Sequence, residues 1–135
     1  MKKILILFIG LLMFNCSDST NINNCFFGIT LNETINLSNP QFIDIQVPGG
    51  STIVNLGGRR VLIIRRTSTA FKAYDMECPE RDCNSFMTFD GLKMICPCTQ
   101  KEYNSLNGSP IDGNGCFALE YNVQQISSTA LQISR

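Results

Sequence analysis

The 135-residue chain contains no histidine and no tryptophan. Without imidazole it cannot assemble a Ser-His-Asp or Cys-His catalytic set, and it lacks the commonest metal ligand. Charge is scarce as well: Asp, Glu, Lys and Arg together make up 16% of residues, 11 of them basic and 11 acidic. Nothing in that balance would hold a polyanion, so nucleic acid is not an expected partner. No internal repeat is visible, and no apolar run approaches the roughly 20 residues of a membrane-spanning helix. Hydrophobic residues still reach 44%, which suits one globular domain and not a disordered chain.

The chain opens with a charged pair, Lys2-Lys3, followed by an apolar run from Ile4 to Phe14. This is the pattern of a secretory signal peptide, expected over residues 1–15. Without Lys2 and Lys3, 9 basic residues face 11 acidic ones. Leu12-Met13-Phe14-Asn15-Cys16 resembles a bacterial lipobox, with Phe14 and Asn15 bulkier than the small residues usual before the cysteine. The resemblance implies lipidation of Cys16, a membrane anchor through that lipid, and a bacterial cell-envelope location. Ser17 to Asn24 is polar, with Asp18 its single charge, as a flexible tether over residues 16–24 would be.

From Cys25 to Arg135 the pattern is of short β-rich runs divided by turn residues. Ile43, Ile45 and Val47 alternate with Asp44 and Gln46, which predicts a half-buried strand ended by Pro48-Gly49-Gly50. Ser51–Leu56 and Arg60–Thr67 flank Gly57-Gly58, and Phe71, Ala73 and Asp75 alternate in a further strand. Ser85–Phe89 and Leu92–Ile95 flank Asp90-Gly91, a two-residue hairpin signal. Phe117, Leu119, Tyr121 and Val123 alternate, and Ala130–Ile133 forms a last run. Together these predict an all-β sandwich or barrel. Residues 101–116 break the rhythm with a Gly- and Pro-rich irregular loop, either functional or a cover for one end of the sandwich.

The seven cysteines are the feature that composition alone does not explain. Four fall close together, in Cys78-Pro79-Glu80-Arg81-Asp82-Cys83 and Cys96-Pro97-Cys98-Thr99. A hairpin around Asp90-Gly91 sets the two groups side by side. Cys96 and Cys98, one residue apart, bond each other only with strain, so each seeks a partner in the other loop. Three chemistries compete. A zinc site has poor spacing here beside the usual Cys-x2-Cys knuckles, and exported thiolates tend to oxidise. A redox-active dithiol using Cys96 or Cys98 has no evident base or helix start to lower a thiol pKa. Structural disulfides require neither, but six cysteines other than Cys16 allow 15 pairings.

The two cysteine groups resemble the cluster-binding boxes of Rieske iron–sulfur proteins, C-x-H-x-x-C and C-x-C-H. The surroundings agree: Ala73-Tyr74-Asp75 precedes the first box as an A-x-D stretch does, and Tyr103 stands where an aromatic follows the second. Asn107-Gly108 matches the turn glycine, and the loop through Asn114-Gly115 leads to Leu119 and Tyr121. The resemblance spans about residues 47–134. It implies a Rieske-like antiparallel β sandwich over residues 25–135, with a small inserted two-loop cluster-type subdomain over about 76–115. It places Cys78 and Cys96 on the thiolate ligand positions and Cys83 and Cys98 on the loop-to-loop disulfide.

The two histidine positions are occupied by Glu80 and Thr99. A Rieske centre holds one iron by two Cys and the other by two His; glutamate is a hard oxygen donor, threonine a poor ligand, and no histidine exists elsewhere. Exported family members commonly cross folded, with a cluster already in place, behind a twin-arginine signal; Lys2-Lys3 implies export as an unfolded chain instead. The expectation is therefore that no cofactor is held. Cys78 and Cys96, freed of iron, would pair with each other, Cys83 with Cys98, and the remaining Cys25 with Cys116. The expected function is non-enzymatic: a disulfide-stapled scaffold or interaction module for an envelope protein partner of unknown identity. A 2Fe–2S electron-transfer protein with non-standard ligands and a thiol–disulfide redox protein are the alternatives.

Two further features invite a reading. Arg59-Arg60 and Arg65-Arg66 resemble a basic patch, but adjacent strand residues face opposite sides, so solvated strand ends are expected. The acidic stretch Asp75, Glu77, Glu80, Asp82 would suit a cation, yet the regular calcium-loop spacing is missing.

Overall fold

A computed structural model describes residues 25–135; the expected signal peptide, the lipidated Cys16 and the tether lie outside the described residues. Among the described residues nine strands form two antiparallel sheets. The larger has the order β1-β9-β8-β4-β3-β2, and the smaller the order β5-β6-β7. In chain order the strands are β1 Asn32–Asn36, β2 Ser51–Leu56, β3 Arg59–Arg65, β4 Phe71–Asp75, β5 Thr88–Phe89, β6 Lys93–Ile95, β7 Glu102–Asn104, β8 Glu120–Ser127 and β9 Ala130–Ser134. The long strand β8 curls the large sheet on itself. Its first residues, Glu120 and Tyr121, pair with Tyr74 and Ala73 of β4, whereas Asn122 to Ser127 pair with β9. The small sheet is an insertion between β4 and β8. This is the all-β, Rieske-like architecture.

Strand β3 explains how the two sheets share one framework. Val61, Leu62, Ile63 and Ile64 are consecutive and all buried. Val61 and Ile63 face the sandwich core with Ala73, Tyr121, Leu131 and Ile133. Leu62 and Ile64 face the other way, onto a second core with Tyr74, Met76, Met87, Met94 and Tyr103. Strand side chains alternate between faces, so a continuous apolar run marks a strand covered on both sides. The β3–β4 hairpin is thus a middle layer, with the sandwich on one face and the inserted sheet on the other.

Several boundaries differ from the sequence reading. Ile43–Val47 is not a strand: Ile43 to Gln46 belong to a 3-10 segment, Pro40–Gln46, kinked at Phe42, and Val47 is its extended C-cap. Phe42 and Ile45 carry its buried face, while Ile43 and Val47 are 67% and 61% exposed. A spacing of three residues, not two, reaches the core, and Pro40 pre-sets the entry to the segment. Gly50 locks the return: a β-carbon there would lie 1.6 Å from the Asp44 carbonyl oxygen. Strand β1, which no alternation announced, pairs along its whole length with β9. Within the 101–116 loop, Glu102–Asn104 forms β7 and pairs with β6. The β5–β6 hairpin turns on Gly91-Leu92, one residue beyond Asp90-Gly91. Phe89 pairs with Met94, Gly91 has φ 100°, and Asp90 Oδ1 accepts from the Leu92 and Lys93 amides.

Of the arginine pairs, Arg60 is exposed as expected of a solvated strand residue, but Arg59 and Arg65 are engaged in the structure. Arg65 donates to four backbone carbonyls: Ile45 at 3.2 Å, Gln46 at 2.7 Å, Thr67 at 3.1 Å and Ser68 at 2.6 Å. Its aliphatic stem leaves the guanidinium 5.1 Å from the Phe71 ring centroid. One planar fork therefore ties the 3-10 segment to the β3–β4 turn, a task that a point-charge ammonium performs poorly. Arg65→Ala should lower stability by about 1–3 kcal/mol in chemical denaturation. It should also speed amide exchange at Gly49, whose N–H bonds the Arg65 carbonyl at 2.7 Å. Unchanged exchange there would show that the 3-10 segment stands without the arginine.

Candidate functional site

The site begins where the chain leaves the large sheet. Asp75, the last residue of β4, is 1% exposed. Its Oδ2 accepts from the Tyr121 hydroxyl at 2.6 Å and from Arg59 Nε at 2.7 Å, and its Oδ1 accepts from the Glu77 amide at 2.8 Å. Arg59 also reaches Glu77 Oε2 at 2.7 Å, and Arg81 pairs with Glu77 Oε1 at 3.3 Å. Burial, followed by the bond to Asp75, raises the Tyr121 phenol above its ordinary pKa. The acidic stretch before the first cysteine box is thus committed to protein cations and donors.

Beyond this anchor two loops meet. In the first, Cys78 to Cys83, the Arg81 amide bonds the Cys78 carbonyl at 2.9 Å. In the second, Cys96 to Lys101, the Gln100 amide bonds the Cys96 carbonyl at 2.9 Å, and the Cys96 amide bonds the Lys101 carbonyl at 2.9 Å. Arg81 and Gln100 both take left-handed backbone, with φ 58° and 59°. Tight reversals of this kind turn the cysteines of each loop toward the other.

The structure brings the described cysteines together as three bridged pairs. Cys78–Cys96 has a Cα–Cα distance of 5.6 Å, Cys83–Cys98 of 5.7 Å and Cys25–Cys116 of 6.0 Å, all within disulfide range. The first two link the loops. Cys78 and Cys96 are 0% and 1% exposed and belong to the second core; Cys83 is half-buried and Cys98 exposed. The sulfurs of Cys78, Cys83 and Cys96 lie within 4.8 Å of one another.

Glu80 and Thr99 do not converge on these sulfurs as donors. Glu80 Oε1 accepts from Lys101 Nζ at 2.9 Å and from the Cys116 amide at 3.0 Å. Thr99 is exposed, and its hydroxyl accepts from the Lys101 amide at 3.4 Å. Sequence reading assigns no role to Lys101, although it directly follows the second box. Its partner lies 21 residues away, and that pairing has no local signature. Gly115 makes room for the ion pair: a β-carbon there would fall 2.2 Å from Glu80 Oε1 and 2.6 Å from Lys101 Nζ.

Comparison with solved structures supports the fold. The chain superposes on a protein assigned as an NADH-dependent nitrite reductase small subunit from Mycobacterium tuberculosis, with TM-score 0.50 and 16% identity. The match covers 79% of this chain and 96% of that one. NirD from E. coli matches with TM-score 0.50 and 14% identity over 79% of this chain and 98% of its own. No family model matches the sequence, and no curated protein matches it. At these identities the likeness defines the architecture.

The Rieske-like fold implies a 2Fe–2S cluster, so its donor set can be tested against these residues. Such a centre needs two thiolates and two further good ligands. Here the two candidate thiolates are bonded to each other, the carboxylate is held by Lys101 and a backbone amide, and the fourth position is an exposed hydroxyl. The residues present do not fit the cluster.

Two outcomes follow from this geometry. The Lys101 hydrogen bond, then the Cys116 N–H, hold the Glu80 carboxyl below its ordinary value of 4.5. A folded pKa below the unfolded one adds stability that is present above the unfolded value and lost as pH falls through the folded one. Glu80→Gln should therefore flatten the loss of stability on acidification below pH 4.5, as read by urea denaturation across that range. An unaltered acid limb would show that the pair contributes nothing. The Tyr103 hydroxyl is buried with no hydrogen-bond partner among the described residues. Tyr103→Phe should accordingly be neutral or stabilising by up to about 1–3 kcal/mol, and a loss of similar size would reveal a partner for that hydroxyl.

Proposed function

We propose that this chain is an exported cell-envelope lipoprotein, anchored through a lipid on Cys16, whose Rieske-like domain holds no iron–sulfur cluster. It serves as a disulfide-stapled module that presents its loops to a protein partner in the envelope and catalyses no reaction of its own. The observation that carries this reading is the fate of the ligand positions: Cys78 and Cys96 bond each other, and Glu80 is paired with Lys101. The lipobox-like Leu12-Met13-Phe14-Asn15-Cys16 supports the anchor. The inserted sheet offers contact surface, with Leu92 81%, Leu106 55% and Ile111 55% exposed. A solved protein of this fold is assigned as the small subunit of a reductase, which is in keeping with an accessory role beside a larger partner.

Intact mass spectrometry of protein purified from membranes, before and after reduction, tests the whole reading. The expected mature chain begins at Cys16, carries a lipid, and gains two hydrogens for each of three bridges on reduction. Iron and acid-labile sulfide should be absent, and Cys16→Ser should move the protein out of the membrane fraction. Stoichiometric iron and sulfide with a visible absorption band would replace this reading with the 2Fe–2S electron-transfer alternative.

A further inference from the structure

We infer that the two loop bridges form a thiol–disulfide relay, in which an electron pair delivered at the exposed Cys98 passes through Cys83 to the buried Cys78–Cys96 pair. The inference rests on the reading above in one respect: these sulfurs must be bonded to one another and not to iron.

Access and reach together carry it. A solution thiol can meet Cys98, which is exposed, but cannot meet Cys78 or Cys96, which are 0% and 1% exposed. Two isolated bridges of such different burial would simply differ in ease of reduction. These are not isolated, because the Cys83 sulfur lies within 4.8 Å of both inner sulfurs. Thiol–disulfide exchange needs a thiolate beside a disulfide sulfur, and cleavage of the outer bridge creates one at that place. Cys83 is thus the link between a bridge open to solvent and a bridge closed to it.

The chemistry balances with one external dithiol, small-molecule or protein, as the reductant. One of its thiolates attacks Cys98 Sγ; a new S–S bond forms, the Cys83–Cys98 bond breaks, and its electron pair leaves on Cys83 as thiolate. The second thiol of the reductant then attacks its own sulfur in the mixed disulfide and expels Cys98 as thiolate. The reductant departs as a disulfide, having lost two electrons and two protons. Cys83 thiolate next attacks Sγ of Cys78 or Cys96. A bond forms to that sulfur, the inner bridge breaks, and the displaced cysteine takes the electron pair and a proton from water. The protein has gained two thiols, Cys98 and one inner cysteine, and retains one bridge, now between Cys83 and the other inner cysteine. Run in reverse, the same steps return the pair to an oxidant at the surface.

The full-length lipoprotein in detergent, first assayed for iron and sulfide, is titrated with one to three equivalents of dithiothreitol. Samples are trapped with N-ethylmaleimide at acidic pH, where thiols are protonated and exchange stops, and their disulfide-linked peptides are mapped. Cys83 should appear bridged to Cys78 or Cys96, with Cys98 alkylated. In Cys98→Ser the free thiol should spread over Cys83, Cys78 and Cys96 instead of remaining on Cys83. In Cys83→Ser reduction of the inner bridge should slow by on the order of tenfold or more. Absence of any Cys83 bridge to an inner cysteine across the titration would overturn the relay, even where a variant fails to fold, and would leave the scaffold reading intact. An inner bridge reduced in Cys83→Ser as fast as in the parent protein would do the same. Iron and sulfide in the starting sample would overturn both.

Discussion

A carboxylate taken out of water needs charge and hydrogen-bond partners, and Asp75 finds them where the chain leaves the large sheet for the insertion. Arg59 comes from the start of β3, Tyr121 from the start of β8, and the Glu77 amide from the first turn of the insertion. Each partner belongs to a different segment, so satisfying one buried charge fixes the exit of β4 relative to the strand that returns from the insertion. The Asp75 amide adds a bond to the Leu119 carbonyl at 2.9 Å on the way back. Everything between Asp75 and Leu119, including both cysteine loops, hangs from this junction.

The insertion needs such an anchor because its own core specifies little. It is built on Met76, Met87 and Met94 with Tyr74 and Tyr103. Methionine fills irregular space but has several rotatable bonds and locks no single packing. The Tyr103 hydroxyl lies buried without a hydrogen bond among the described residues. The strands are also short, two or three residues each, and cannot stand alone. Three cross-links supply what packing does not: Cys78–Cys96, Cys83–Cys98 and Glu80–Lys101 all run from the first loop to the second.

The sequence shows these features unevenly, for physical reasons. Gly57-Gly58, Phe71–Asp75 and the alternation through Tyr121 and Val123 were legible because turn chemistry and period-two patterning are local. The Ile43–Val47 alternation misleads because only Ile45 of its three apolar residues reaches the core, joined there by Phe42 just before it, and the backbone coils to place the two together. Strand β1 is hidden because its residues are mostly exposed and its order comes from β9, about a hundred residues later. At the site, the cysteine spacing and the missing histidines carry most of the information. Arg59 with Asp75 and Lys101 with Glu80 are pairings between distant segments, and no window of sequence contains them.

Cross-linking by sulfur and by metal place different demands on the same two loops. A metal gathers four donors around a point and leaves each loop free to contribute through side chains of different length. A disulfide joins two backbones directly, so it fixes their separation, here 5.6 and 5.7 Å between α-carbons. The two bridges interlace along the chain, Cys83 lying inside the loop that Cys78–Cys96 closes and Cys98 outside it, and their separations of 18 and 15 residues differ little in closure entropy, which varies with the logarithm of loop length. Each bridge can therefore contribute roughly 2–3 kcal/mol in the chain-entropy model, a large share for an insertion with so small a core. The order of this region is consequently tied to the oxidation state of its sulfurs, whereas the sandwich on the far face of β3 and β4 rests on Val61, Ile63, Leu131 and Ile133. A fold divided in this way can hold its framework constant while the chemistry at one end changes.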